Sequence, residues 1–236
     1  MLTQIDHIII AVSSAEQQAI SARLKEAGFV HGDAGRHPSG TANENVAFAS
    51  GAFLELLYEQ QPGSGPTVWF ADTPRVQGIG FSTTDYATDI AAWGSPPGSW
   101  DRIFPKTMAN GEPSQCRAAG PLPMQELYVF YMDRPAPEFG GLGATARLTG
   151  VTFRGADHQL WRERFQNWFR LPAADGVLRC GEVGFGFEPG EHSAVRLSLT
   201  FAVQQGEGSI PISGGTIELV RAGSAPSGAS QTQEQR

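Results

Sequence analysis

Two polar residues stand where a strand should be apolar. In Ile5-Asp6-His7-Ile8-Ile9 a period of two puts Ile5, His7 and Ile9 on one face, and in Phe53-Leu54-Glu55-Leu56-Leu57 it puts Phe53, Glu55 and Leu57 on one face. A carboxylate on an apolar face is costly unless it is paired, hydrogen-bonded or coordinated, so Glu55 needs a partner. A neutral imidazole is a natural co-ligand for a divalent metal, which makes His7 and Glu55 a candidate ligand pair. The same pattern suits a His and a Glu that hydrogen-bond inside a core, and spacing does not choose between the two.

The stretch Gly35-Arg36-His37-Pro38-Ser39-Gly40-Thr41-Ala42-Asn43 is dense in groups that aim side chains or backbone amides at a ligand. It is the candidate recognition loop, although its composition equally fits a plain connection from helix to strand. His31, His158 and His192 are expected in solvent. Glu218, in Thr216-Ile217-Glu218-Leu219-Val220, repeats the strand context of Glu55, but its module opens with Thr149-Gly150-Val151 and has no matching His. The cluster Gly140-Gly141-Leu142-Gly143 lacks the strand-to-helix setting of a dinucleotide loop. No serine-hydrolase elbow, HExxH helix or phosphate-binding loop is present, which sets aside those chemistries.

The elements that must position these residues recur in order. Ile5 to Val12 reads as a strand. Ser13 with Glu16 three positions on is a capping box for a helix beginning near Ala15, with Ile20 and Leu24 as its buried stripe and Gly28 at its end. Strands follow at Glu44 to Ala49 and Phe53 to Tyr58, closing a first module over 1–62. The second, over 74–135, has a strand at Val76 to Ser82, a helix capped by Asp85 and carrying Ile90 and Trp93, and a closing strand at Leu127 to Met132. The Gly- and Pro-rich run from Gly94 to Leu122 between them is expected to be loop with one short strand near Ser114 to Ala119. The third, over 146–222, opens at Leu148 to Phe153, continues through a helix with Trp161, Phe165 and Trp168 as core, and ends in strands at Val195 to Val203 and Thr216 to Val220. Residues 223–236, rich in Ser, Gln and Gly, are expected to form a disordered tail.

The whole chain narrows the function. Its 236 residues are 40% hydrophobic, enough to bury a core without help. A net charge of -7 opposes phosphate backbones and anionic lipid surfaces, so neither nucleic acid nor a membrane is an expected partner. The N-terminal apolar run follows Asp6 and His7 with no basic flank and reads as a strand, and no stretch approaches the ~20 apolar residues of a membrane span. Only Cys116 and Cys180 are present, far apart, which suits a reducing compartment and argues against a thiolate-zinc site. A cytoplasmic chain is expected, with a small-molecule ligand as partner; a homodimer stays open.

The opening Ile5-Asp6-His7-Ile8-Ile9, the Gly35-Arg36-His37-Pro38 and Gly40-Thr41-Ala42-Asn43 segments and the Phe53-Leu54-Glu55-Leu56 strand, in this order, resemble the glyoxalase-like domain proteins of the vicinal oxygen chelate superfamily. Thr83-Thr84-Asp85, Leu122-Pro123 and Leu148-Thr149-Gly150-Val151 extend the resemblance along nearly all of the chain before the tail. It implies an α+β fold of repeated βαβββ modules whose curved mixed sheet surrounds a cavity. It also implies a divalent metal ion that chelates adjacent oxygens of a substrate, in a lyase, isomerase or dioxygenase reaction. His7 and Glu55 match ligand positions, and Glu218 or His37 would complete the shell. The middle module departs from the pattern, having Gly78 and Tyr128 where a His and a Glu are expected. On this reading Glu55 and His37 are the candidate catalytic groups, Arg36 steers an anionic substrate, and Thr41 and Asn43 bind it. The same resemblance leaves open a metal-free protein that sequesters a ligand in the cup.

Overall fold

In the computed structural model, residues 4–71, 73–122, 127–174, 176–191, 196–213 and 215–223 are described. The expected tail beyond Gly223, and His192, lie outside them. The first strand, β1 (Gln4–Ala11), passes into helix α1 (Ser14–Glu26) through a capping box in which the Ser13 hydroxyl accepts from the Glu16 amide and the Glu16 carboxylate accepts from the Ser13 amide. Three strands follow: β2 (Val30–Arg36), β3 (Thr41–Ala47) and β4 (Phe53–Glu59). A short helix, α2 (Thr67–Phe70), leads to the same order again: β5 (Arg75–Ser82), α3 (Tyr86–Ala91) capped by Asp85, β6 (Trp100–Met108), β7 (Pro113–Gly120) and β8 (Tyr128–Met132).

These eight strands close into a barrel in the order β1-β4-β3-β2-β6-β7-β8-β5. In each half the first and last strands run parallel, His7 beside Phe53 and Gly78 beside Tyr128, and the two halves join where β1 and β5 run antiparallel. The opposite join is thin: β2 meets β6 only at Gly35 with Met108 and Arg36 with Thr107.

Two strands extend into stretches read as loop. Val30–Arg36, polar and glycine-containing, pairs with β3, leaving only residues 37–40 as the turn. Trp100–Met108 pairs in an antiparallel hairpin with Pro113–Gly120, the strand expected near Ser114 to Ala119, with Pro105 opposite Gln115. A proline is tolerated there because β6 has no second neighbour at that position, so no ladder bond is lost.

The rest of the chain forms a second sheet. It comprises β9 (Arg147–Arg154), α4 (His158–Trp168) and the strands β10 (Ala173–Ala174), β11 (Val177–Cys180), β12 (Val183–Glu188), β13 (Arg196–Val203), β14 (Gly208–Ile212) and β15 (Gly215–Arg221). Their order is β10-β11-β12-β9-β13-β15-β14. Parallel pairing recurs twice, β9 with β12 and β13 with β15, the latter without a helix between its strands. The modules therefore associate as first with second, while the last two parallel pairs share a sheet of their own.

Period two divides the side chains of the barrel. Ile8, Ile10, Leu54 and Leu56 face outward into a large core shared with Phe153, Phe165, Phe185 and Phe201 of the second sheet and its helix. Ile9, Leu57, Ala118, Tyr128, Phe130 and Met132 face inward and form a separate apolar cluster inside the barrel. Trp161 and Phe165 of α4 are core, as their helical spacing implies. Among the described residues no helix is long and apolar enough to cross a membrane.

Candidate functional site

The inward faces of β1, β3 and β4 carry His7, Thr41, Asn43, Asn45 and Glu55 into a cavity of about 160 Å³. Its polar end is built around Glu55. The Glu55 Oε2 lies 3.6 Å from Nε2 of His7 and its Oε1 lies 3.8 Å from Nε2 of His37, so one carboxylate faces two imidazoles. His7 is 5% exposed, and its ring stacks on Phe53 at 4.8 Å with the edge of Phe130 at 5.3 Å.

Asp6 fixes which nitrogen of His7 looks into the cavity. Its carboxylate, fully buried, lies 2.7 Å from Nδ1 of His7 and accepts from Ser82 Oγ at 2.6 Å and from Arg134 Nε at 2.6 Å, with Arg134 Nη2 on its other oxygen. Burial alone would raise this carboxyl. The hydrogen bonds from His7 and Arg134 outweigh it and hold the group at about 2. An ionised carboxylate only accepts, so Nδ1 carries the proton and a neutral His7 turns the lone pair of Nε2 toward Glu55. A carboxylate bound to the far nitrogen is also how metal-ligating imidazoles are commonly oriented.

His37 is placed by a pinned turn. Its amide donates to the Thr41 carbonyl at 2.8 Å, the Gly40 amide donates back to the His37 carbonyl at 3.1 Å, and Gln60 Nε2 donates to both carbonyls. Gly40 has φ +85°, and a Cβ there would lie 2.1 Å from the Ser64 carbonyl oxygen, so the turn needs glycine. The ring nitrogen Nε2 of His37 is buried and has no hydrogen-bond partner.

The other walls are aromatic and come largely from the second module. Trp100 lies 5.8 Å from Phe104 and 6.5 Å from Tyr128, and Trp69 lies 5.9 Å from Tyr128. A Cβ on Gly78 would come within 2.9 Å of the Tyr128 ring and one on Gly80 within 2.8 Å of Phe130. The positions of a second His and Glu are thus filled by rings that use the glycines' empty space. Burial, and then the charge of Glu55, pushes up the hydroxyl of Tyr128 and raises the Cys116 thiol to about 11.

A family model for the glyoxalase-like domain matches residues 5–169. The chain belongs to that family. The glyoxalase-like chain shares its fold with a hypothetical protein from Staphylococcus aureus, at 13% identity and a TM-score of 0.66 over 94% of this chain and 100% of that one. A mutant 4-hydroxymandelate synthase from Streptomyces coelicolor follows at 14% identity and a TM-score of 0.57, over 85% of this chain and 71% of that one. Family and fold together put the glyoxalase-like chain in the vicinal oxygen chelate superfamily, with the α+β barrel that the superfamily implies. No curated protein matches the sequence.

Of the residues singled out in the sequence, the fold brings His7, His37, Thr41, Asn43 and Glu55 to one cavity. It does not bring Arg36, which is exposed on β2, or Glu218, which stands on β15 and accepts from Ser209 Oγ at 3.2 Å. His31 is exposed and lies 2.5 Å from Glu44, and His158 contacts the Gly155 carbonyl at the start of α4. Sequence reasoning missed Arg134, Lys106 and the Trp69 and Trp100 walls. Only the alternation Trp100, Arg102, Phe104, Lys106 could have signalled part of them. Among the described residues no group of three or more His, Cys, Asp or Glu is gathered as a metal site.

Proposed function

We propose that the barrel cavity is a small-molecule site and that His7, Glu55 and His37 hold a divalent cation at its polar end, in a lyase, isomerase or dioxygenase reaction on a substrate with adjacent oxygens. The observation that carries this reading is the buried, partnerless Nε2 of His37 facing Glu55. A buried polar atom without a partner costs about 1–3 kcal/mol, and a cation shared with Glu55 removes that cost. The donor types suit Zn²⁺, Mn²⁺ or Fe²⁺. Tetrahedral ligands at ~2.0–2.2 Å from one ion stand about 3.3–3.6 Å apart. The separations of 3.6 and 3.8 Å therefore ask for a closure of at most a few tenths of an ångström.

Bound there, the ion supplies a Lewis acid for adjacent oxygens of the substrate. The protein's own groups do the rest. Asp6 holds the Nδ1 proton of His7 and so keeps Nε2 a donor of its lone pair. On this reading Glu55, facing His7 Nε2 at 3.6 Å and His37 Nε2 at 3.8 Å, is the carboxylate that accepts a proton from the bound molecule. The ring walls keep water from the apolar part of the ligand. Two free cysteines and a net charge of -7 support a cytoplasmic protein without a nucleic-acid partner.

The test is a thermal melt with Mn²⁺, Fe²⁺ or Zn²⁺ at about a hundred times Kd against the same protein in EDTA. Stabilisation of about 2.7 kcal/mol is expected, a rise of about 5–10 °C, reduced in His37→Ala. A specific feature favours a second reading, metal-free sequestration of a ligand: the rings of Tyr128 and Phe130 stand where the second module would add ligands. A wild type whose melting temperature ignores all three ions supports that reading.

A further inference from the structure

We infer that Asn43 selects an aromatic ligand bearing a hydroxyl or amino donor, because a chain of side chains anchored on Asp33 leaves its carbonyl oxygen, and not its amide, without a partner at the cavity wall. The inference rests on the small-molecule reading of the cavity and is independent of the metal.

Asn43 is 2% exposed, lines the cavity, and its Oδ1 has no partner. An amide can present either end, so the orientation needs a cause. It begins on β6, where Lys106 Nζ donates to Asp33 Oδ2 at 3.1 Å. Both oxygens of Asp33 accept, Oδ2 from Lys106 and Oδ1 from Asn45, and a carboxylate in this role offers no donor. Asn45 must then turn its amide to Asp33 Oδ1 and its oxygen toward Asn43. Asn43 donates its own amide to that oxygen at 2.8 Å, which leaves its carbonyl oxygen outside the chain. Three strands, β6, β2 and β3, thus convert one charge into one fixed acceptor. Beside this oxygen the backbone is bare: a Cβ on Gly35 would lie 3.1 Å from Asn43 Oδ1 and 3.3 Å from Lys106 Cδ.

The matching ligand chemistry follows from what is free. The two lining cations are already paired, Lys106 with Asp33 and Arg134 with Asp6 and Glu138, so an anionic head has no open partner among the described residues. Of the described residues that line this cavity, those with an unsatisfied buried polar atom are Asn43, at its carbonyl oxygen, and His37, at an imidazole nitrogen. The apolar flank is Trp69, Trp100, Phe104 and Tyr128, which favours a flat ring. A phenol or an arylamine offers both the ring and the donor.

Ligand-detected NMR titrations in EDTA, with phenol, anisole and cyclohexanol as probes, test this on the full chain. Phenol has ring and donor, anisole only the ring, cyclohexanol only the donor. Wild type should bind phenol about tenfold more tightly than either of the others, the effect of one well-made hydrogen bond. Asn43→Leu should keep anisole binding and lose the preference. Asp33→Asn lets the chain of amides reverse and present a donor to the cavity, so the preference should fall to parity or favour anisole. Equal binding of phenol and anisole by wild type overturns the inference and leaves the cavity's small-molecule role standing. Binding of no probe removes both. A full tenfold preference retained in folded Asp33→Asn overturns the role of the Asp33 chain.

Discussion

Arg134 grips Asp6 at two points, Nε to Oδ2 at 2.6 Å and Nη2 to Oδ1, across 128 residues of sequence. Asp6 begins the first half of the barrel and Arg134 follows the last strand of the second half. The second half has glycines and rings at its own ligand positions, yet it supplies the clamp, with Ser82, that orients His7 of the first.

Removing one side of a buried ion pair leaves the other charge unpaired. Arg134→Met should destabilise the protein by about 3–5 kcal/mol in urea unfolding. The double variant Asp6→Asn, Arg134→Met should recover a large part of that loss, since no buried charge then stands alone.

Acid should dissolve the same pair. Asp6 titrates at about 2 in the fold against 3.8 for the free group. Its folded value is depressed, so its contribution is fully present above about pH 5 and is lost as pH falls toward 2. The span is worth about 2 kcal/mol. Stability measured from pH 6 to pH 2 should fall by this amount more in wild type than in Asp6→Asn.

The alternation around His7 and Glu55 was legible because each strand carries a single polar residue on an apolar face, and the helix caps because they are local. The clamp was not legible, since nothing near Arg134 in the sequence points at residue 6. Strand β7 was legible near Ser114 to Ala119, but its hairpin partner β6 was hidden by Pro105 and the glycine-rich flanks. Only the three-dimensional fact that β6 lacks a neighbour there makes a proline acceptable in a strand. With β6 went Lys106, Trp100 and Phe104. Arg36 reads as a ligand group by proximity to His37, but strand pairing turns it to solvent.

Gly80 keeps space for the site. A Cβ there would lie 2.8 Å from the Phe130 ring and 3.1 Å from Cε1 of His7. Gly80→Ala should cost about 1–3 kcal/mol and weaken binding of metal and ligand by moving the His7 ring. Gly150→Ala, whose Cβ would meet nothing closer than 3.6 Å, should change neither.

Cys116 faces the cavity but should be a poor nucleophile. Burial, then the charge of Glu55, raises its thiol to about 11, so little thiolate exists at neutral pH. Iodoacetamide labelling followed by mass spectrometry at pH 7.5 should be slow at Cys116, faster in Glu55→Gln, and faster in wild type as pH rises toward 10.

The most direct measurement is the elemental metal content of purified wild type, His7→Ala and Glu55→Gln after loading with divalent ions and dialysis. Near-stoichiometric metal in wild type, lost in both folded variants, is the result predicted. A metal-free wild type, or variants that retain the metal, would contradict a cation centre at His7, Glu55 and His37.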